Sequence, residues 1–462
     1  MRAVCACLLA ALLVVVCEAG VAGAQQPPAA TLDTNPISTP DLGVDAQGGA
    51  VVAWVGFAPT TGSSGETTYV DAVQVSVRPP GGAFSAPQPI SDLSDDVTRD
   101  VALGVGRRGD AALIWRAVDE NDKGTPIVVS RRVAGGTFGR PAAISGSTGG
   151  RDAAVAVGGE GSVLVTWLVS SHRRGCGNVV WAARAKARGA FATPARVSGQ
   201  CANASAPRAA LGPDGRGAVA WRARPNGGET ELQAAALRMG AFARAREISR
   251  APISAVGFDI AGDRTGATVA WRDGGGNISA TGDAGRVLVA RVAAGLEPNP
   301  HVVADGGRLA GPPRLVANAQ GAALLTFEQA PENQPLHRPA VLASRRPSIG
   351  GGFARPQVVA TCGAADDAQT FAFPALDAVG LATIVFQTSC GGPLGIGPNP
   401  GLAIASAGPG DAWSAPAPLS SGGYAVGVEV GMADGGAAVA AWTERAFGAP
   451  EAIEGLRVAI LR

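Results

Sequence analysis

Apolar positions along the chain gather into short runs that end in an aromatic ring and restart after a Gly-containing turn. Eight runs end at Trp54, Trp115, Trp167, Trp221, Trp271, Phe327, Phe386 and Trp442, with gaps of 61, 52, 54, 50, 56, 59 and 56 residues. A near-constant period of this length marks repeat architecture, in which each unit buries its apolar surface against the next. Within a unit, Leu42-Gly43-Val44-Asp45 leads through Gly48-Gly49 into Ala50-Val51-Val52-Ala53-Trp54. The fourth copy runs Leu211 to Trp221 and the fifth Asp263 to Trp271 in the same way. Each reads as two short strands joined by a tight turn, where Asx side chains bond nearby backbone and Gly accepts positive φ.

The second strand is apolar on both faces, Ala50, Val52 and Trp54 alternating with Val51 and Ala53, so both must be covered, as between two neighbouring sheets. A polar loop of variable length follows, then a third strand such as Ala72 to Val77, then a Gly hairpin and a fourth strand. The fourth carries a recurrent signature, Gly82-Ala83-Phe84-Ser85-Ala86-Pro87-Gln88-Pro89-Ile90-Ser91. It returns around Phe138, Phe191, Phe242, Phe353 and Trp413. Its Pro residues predict an outer strand, since a missing N–H is tolerated only at an edge. Four antiparallel strands per unit and eight units predict an all-β fold, an eight-bladed β-propeller of four-stranded antiparallel blades.

The last unit stops after its third strand, Leu456 to Leu461, while Asn35-Pro36-Ile37-Ser38 near the start matches Gln88-Pro89-Ile90-Ser91. The N-terminal segment is therefore expected to complete the last blade, residues 35–38 pairing with 456–461 and closing the ring.

Met1-Arg2 and the apolar run through Val16 have the layout of a signal peptide, with small residues at Ala22-Gly23-Ala24 for cleavage near Ala24. The expected division is residues 1–24 as signal and 25–462 as one propeller domain, secreted and without a transmembrane segment. A lipid anchor on Cys17 is the weaker alternative, because Val14 to Val16 before it are bulky. Four cysteines follow the signal, an even number suited to an oxidising compartment. Cys176 and Cys390 fall in loops after second strands, and Cys201 and Cys362 in the connections between units. Both loop types emerge on one propeller face, which predicts disulfides Cys176–Cys201 and Cys362–Cys390.

Charge and candidate chemistry narrow the function only by exclusion. Lys and Arg total 38 against 37 Asp and Glu. This balance, with no basic stripe, argues against nucleic-acid binding. Only Lys123 and Lys186 are lysines, a bias that high-GC bacterial coding explains. His172, His301 and His337 belong to different units and no nucleophile elbow accompanies them, so they read as exposed histidines rather than part of a triad. Asp119-Glu120-Asn121-Asp122 offers oxygen ligands for calcium but lacks the alternating register of a calcium loop, and a solvated loop is the better reading. The turn residues Asp45, Asp214, Asp263, Asp377 and Asp434 recur because the turn recurs. No catalytic residue, metal ligand or cofactor site is expected. Tyr69 and Tyr424, the only tyrosines, lie in units that become neighbours when the ring closes. They are the candidate ligand-binding pair, suited to stacking a sugar ring, with local packing as the competing explanation.

The pattern D-x-x-G-x-A-x-x-x-W followed by G-x-F-x-x-P-x-x-I-S resembles a group of exported actinobacterial β-propeller repeat proteins, some of them called sialidase-like for their fold. The resemblance covers the chain beyond the signal, and its motif is structural. Sialidase boxes have the form S-x-D-x-G-x-x-W, whereas here Pro213-Asp214-Gly215 precedes Trp221 by six residues after the Gly. The resemblance therefore implies fold rather than reaction. The function expected is a monomeric binding or interaction protein, meeting an extracellular glycan or another exported protein through the face bearing the long loops 60–71, 118–125, 170–178 and 330–338. A sialidase-like glycoside hydrolase and a structural cell-envelope component are the alternatives.

Overall fold

The computed structural model describes residues 29–61, 65–92, 96–118, 126–146, 149–249, 253–273, 285–309, 311–330, 340–361, 371–387, 401–420, 424–445 and 453–461. Eight antiparallel sheets follow one another along the chain. In the first, Asp41–Val44, Ala50–Thr61, Thr67–Arg78 and Gln88–Pro89 pair in that order from the axis outwards. The inner strands touch their neighbours all the way round, including Asp41–Val44 against both Asp96–Val105 and Tyr424–Met432. The sheets thus form a closed eight-bladed propeller, as the period predicts.

Face-to-face packing explains the doubly apolar second strands. Eight buried apolar clusters fill the eight spaces between blades, and every run-ending aromatic belongs to one of them. Trp54, Trp115, Trp167, Trp221, Trp271, Phe327, Phe386 and Trp442 are all buried. Each lies against the blade before its own: Trp221 packs with Leu164 and Val180 of blade three, and Trp442 with Val385 and Ile404 of blade seven.

The recurrent Ile-Ser of the outer strand is a clamp. The hydroxyls of Ser91, Ser145, Ser198, Ser249 and Ser420 accept the N–H of Val73, Ile127, Val180, Leu232 and Leu402 at 2.8–3.0 Å. The preceding residue's N–H returns to the carbonyl of the same partner, as in Ile90 to Val73 at 2.7 Å. Buried backbone groups at the top of the third strand are thereby satisfied where the short outer strand gives out.

The closing strand differs from the expected one. Ala30–Asp33, not residues 35–38, pairs with the final strand Ile453–Leu461: Ala30 opposite Val458, Thr31 opposite Arg457, Asp33 opposite Leu456. Leu32 packs with Leu456, Val458 and Trp54 in the seam between the last and first blades. Residues 35–38 do form an Ile-Ser clamp, with Ile37 and Ser38 N–H on the Val55 carbonyl and Ser38 Oγ accepting Val55 N–H. The clamp requires only an unpaired N–H and C=O on an edge. Past Asp33 the chain has already crossed to blade one, and the free edge it meets there is that blade's second strand.

Candidate functional site

The loops after second strands and the connections between blades emerge on one face, where inner strands begin and second strands end. Two arrangements on that face have chemical character.

The first is a projecting hairpin in blade one. Ala50–Thr61 and Thr67–Arg78 have twelve residues each where the other second strands have six to eight. At 3.4 Å per residue the ladder runs about 14 Å further than its longest counterparts. Residues 60, 61 and 67–71 are thus strand rather than loop, and Tyr69 sits in a ladder position opposite Pro59. Phe57 lies opposite Asp71, two positions along, so Phe57 and Tyr69 are diagonal neighbours on one hairpin face. They are 43% and 68% exposed, an uncovered aromatic pair. Tyr424 opens the inner strand Tyr424–Met432 of blade eight, opposite Arg445; its side chain lies outside the described residues.

The same face carries the Cys176–Cys201 disulfide, Cα atoms 4.6 Å apart, which ties the loop after Val163–Ser170 to the connection entering blade four. Cys362 and Cys390 lie outside the described residues, as do His337 and the acidic stretch at 119–122. His172 is exposed in the disulfide-tied loop, and His301 is exposed at the start of the outer strand His301–Ala304. No cluster of His, Cys, Asp and Glu suited to a metal occurs among the described residues. Two turn aspartates serve their turns, Asp45 Oδ1 accepting Gln47 and Gly49 N–H and Asp377 Oδ1 accepting Val379 and Leu381 N–H, whereas Asp434 accepts hydrogen bonds from Arg107 and the Ala378 N–H of other blades.

The second arrangement is a ring around the axis that sequence reasoning missed. In every blade one inner-strand residue pairs with the residue just before the run-ending aromatic. These are Asp41 opposite Ala53, Ala102 opposite Ile114, Ala154 opposite Thr166 and Arg208 opposite Ala220. Asp259 opposite Ala270, Arg314 opposite Thr326, Phe373 opposite Val385 and Glu429 opposite Ala441 complete the set. Eight equivalent positions at one level of the channel thus hold three acids, two arginines, one aromatic ring and two alanines. The signal was present as a column about thirteen residues ahead of each aromatic, but its members share no chemistry and so do not register as a motif.

The ring's charges interact without pairing. Asp41 accepts Leu103 N–H of the next blade, and Asp259 likewise accepts Leu315 N–H, both at 2.8 Å. The Arg314 guanidinium lies 5.3 Å from the centre of the Phe373 ring in the next blade. Arg208 is exposed and has no hydrogen bond or ion pair among the described residues. Burial pushes the Asp41 carboxyl up to about 6, against the opposing pull of the Leu103 N–H and Arg208. Burial, reinforced by Asp41 and Asp259, pushes Glu429 up to about 8, with Arg314 and Arg208 acting the other way. Just outside the ring, Glu328 is 2% exposed. Its Oε1 accepts Ala372 N–H at 2.8 Å while Oε2 is buried without a partner. Burial raises this carboxyl to about 8 despite that hydrogen bond and nearby Arg314.

On the opposite, turn-bearing face, a cavity of about 390 Å³ between blades six and seven is lined by Arg345, Arg346, Pro347, Val379, Pro409 and Asp411. Its buried cations are already engaged. Arg345 lies 4.7 Å from the Trp413 ring centre and donates to Ala407 O and Gly408 O; Arg346 donates to Gly321 O, Thr268 and Asp263. They cross-link blades.

No protein-family model matches the chain, and no curated protein matches it. Among solved structures, the Hadza microbial sialidase Hz136 is similar at 13% identity over 78% of this chain and 92% of its own, with a TM-score of 0.38. The polysaccharide lyase Uly1 is similar at 10% identity over 82% and 94%, with a TM-score of 0.43. A protein of unknown function from Dyadobacter fermentans is similar at 12% identity over 94% and 97%, with a TM-score of 0.39. The class defined by fold and geometry is that of the eight-bladed β-propellers. No helix among the described residues is long and apolar enough to cross a membrane.

Proposed function

We propose that this protein is an exported binding module that recognises an extracellular glycan through its loop face. The observation that carries the reading is the exposed pair Phe57 and Tyr69 on one face of the projecting hairpin. Aromatic rings held rigid on a ladder offer flat apolar faces for sugar C–H groups at small entropic cost, and exposed rings of this size otherwise mark interaction sites. The Cys176–Cys201 bond supports a location in an oxidising compartment. Rigid blades holding loops at one end are a usual setting for recognition.

The test is a panel of polysaccharides and oligosaccharides scored for binding and cleavage together, with the purified chain and its Phe57→Ala and Tyr69→Ala variants. Binding of one glycan class without turnover, reduced about tenfold or more by either variant, is the expected result. Turnover would replace the reading with a hydrolase or lyase. Binding of an envelope protein and no glycan would replace it with a structural role.

A further inference from the structure

Opposite charges brought together at low dielectric close up into ion pairs wherever their reach allows. Such pairs form elsewhere in this molecule, as in Arg291 and Arg346 with Asp263, or Arg457 with Glu444. None forms within the channel ring among the described residues. Arg208 and Arg314 lower the pKa of Glu429, and Arg208 that of Asp41, so the charges are near enough to act yet do not touch. On these rigid strands the guanidinium groups of blades four and six, with Asp259 of blade five between them, are held apart from the carboxyls of blades one and eight.

We propose that the channel mouth is a binding site for a single small hydroxylated organic anion, its acidic group held by Arg208 and Arg314 and its hydroxyls facing Asp41 and Glu429. This rests on the reading of the loop face as a ligand-binding surface, and adds to it the charge of the ligand and its place on the axis. Three features support the anion. Arg208 is exposed and uncommitted, and Arg314 is fixed over Phe373 rather than paired with an acid. Glu429 forms no hydrogen bond among the described residues, and Asp41 is bonded through Oδ2 alone. Beside Arg314, Glu328 keeps a buried Oε2 with no partner, so even the acid behind the ring has not closed onto the guanidinium.

The site is also proton-linked. The charged groups around it among the described residues are Asp41, Arg208, Asp259, Arg314, Glu328 and Glu429. As pH falls through about 8 and then about 6, Glu429 and then Asp41 take up protons, moving the ring two charge units towards positive. An anion is therefore favoured on the acid side and repelled on the alkaline side. Binding at intermediate pH draws in a proton, because the anion stabilises the neutral carboxyls.

Calorimetric titration of the purified chain with glucuronate, glucose and glucosamine at pH 5, 7 and 9 tests this. Glucuronate should bind at least about tenfold tighter at pH 5 than at pH 9, and glucose and glucosamine more weakly than glucuronate at pH 5. Arg208→Ala should weaken glucuronate about tenfold without lowering the melting temperature, since the Arg208 side chain forms no hydrogen bond or ion pair among the described residues. Glu429→Gln, fixed neutral, should flatten the change between pH 7 and 9. Equal affinity for glucose, affinity that rises with pH, indifference to Arg208→Ala, or no binding of glucuronate by the folded protein would each overturn the proposal. If Phe57→Ala and Tyr69→Ala abolish glycan binding while glucuronate shows none of this behaviour, the hairpin reading stands and the channel inference fails.

Discussion

The Trp54 indole N–H donates to the Asp33 carboxylate at 2.7 Å. Asp33 belongs to the strand that completes the last blade, and Trp54 lies in the second strand of the first, so this bond crosses the seam at which the ring closes. Trp167, Trp221 and Trp442 bury the same indole N–H without a partner. The seam is the one ring position at which a run-ending tryptophan is given a charged acceptor among these four.

Asp33→Ala removes that acceptor from a fully buried ring and loosens the closing strand with it. A loss of about 1–3 kcal/mol is expected, the range for a bond to a charged partner. Asp33→Asn, which keeps an oxygen, should lose less. Denaturant midpoints of the three proteins, with intrinsic tryptophan fluorescence as the probe, check this. Equal midpoints would mean that the bond contributes nothing to closure.

The Cys176–Cys201 bond closes a loop of sequence separation 25. Replacing both residues with Ala should cost about 3 kcal/mol if loop entropy dominates. The effect should be confined to blades three and four, and hydrogen exchange is the direct readout: faster exchange at residues 171–178 and 199–204, none at the seam. Uniform acceleration across the ring would show that the bond supports global rather than local stability.

Glu328 has a folded-state pKa raised to about 8 from an ordinary value of 4.5. Between those two values the unfolded chain holds fewer protons than the folded one, so stability falls as pH rises through this window. Glu328→Gln keeps the acceptor for Ala372 N–H and carries no titratable proton. The variant should match the parent near pH 4.5 and exceed it by up to about 5 kcal/mol at pH 9. Melting curves across that range decide the matter, and a parallel pH dependence in both proteins would contradict the assignment of the slope to Glu328.

What was legible in the chain was what repeats. The aromatics that end each second strand, the Asx turns and the Ile-Ser clamps recur because each blade solves the same packing and hydrogen-bonding problem, so pattern alone revealed eight blades. The closing strand lies a few residues before the segment that sequence singles out, because Ala30–Asp33 carries neither the outer aromatic nor the Pro, while Asn35-Pro36-Ile37-Ser38 imitates both the letters and the local bonding of an outer strand. Tyr69 reads as a loop residue from sequence because Thr60, Thr61, Thr67 and Thr68 look like polar linker, although their β-branched side chains suit a solvated ladder. The ring escaped because a site drawn from eight blades takes one dissimilar residue from each, and only strand register aligns Asp41, Arg208, Arg314 and Glu429.

Asp41 and Glu429 adjoin only if the first and last blades meet, so closure by Ala30–Asp33 underlies both the architecture and the channel site. Oxidative cross-linking of a Thr31→Cys/Arg457→Cys double variant, with the bridge located by peptide mass spectrometry, measures it directly. These positions face each other in the ladder and their native side chains are hydrogen-bonded. A bridge between 31 and 457 should form readily, and none should form in an Ile37→Cys/Arg457→Cys control. A bridge from 37 but not from 31 would contradict the account.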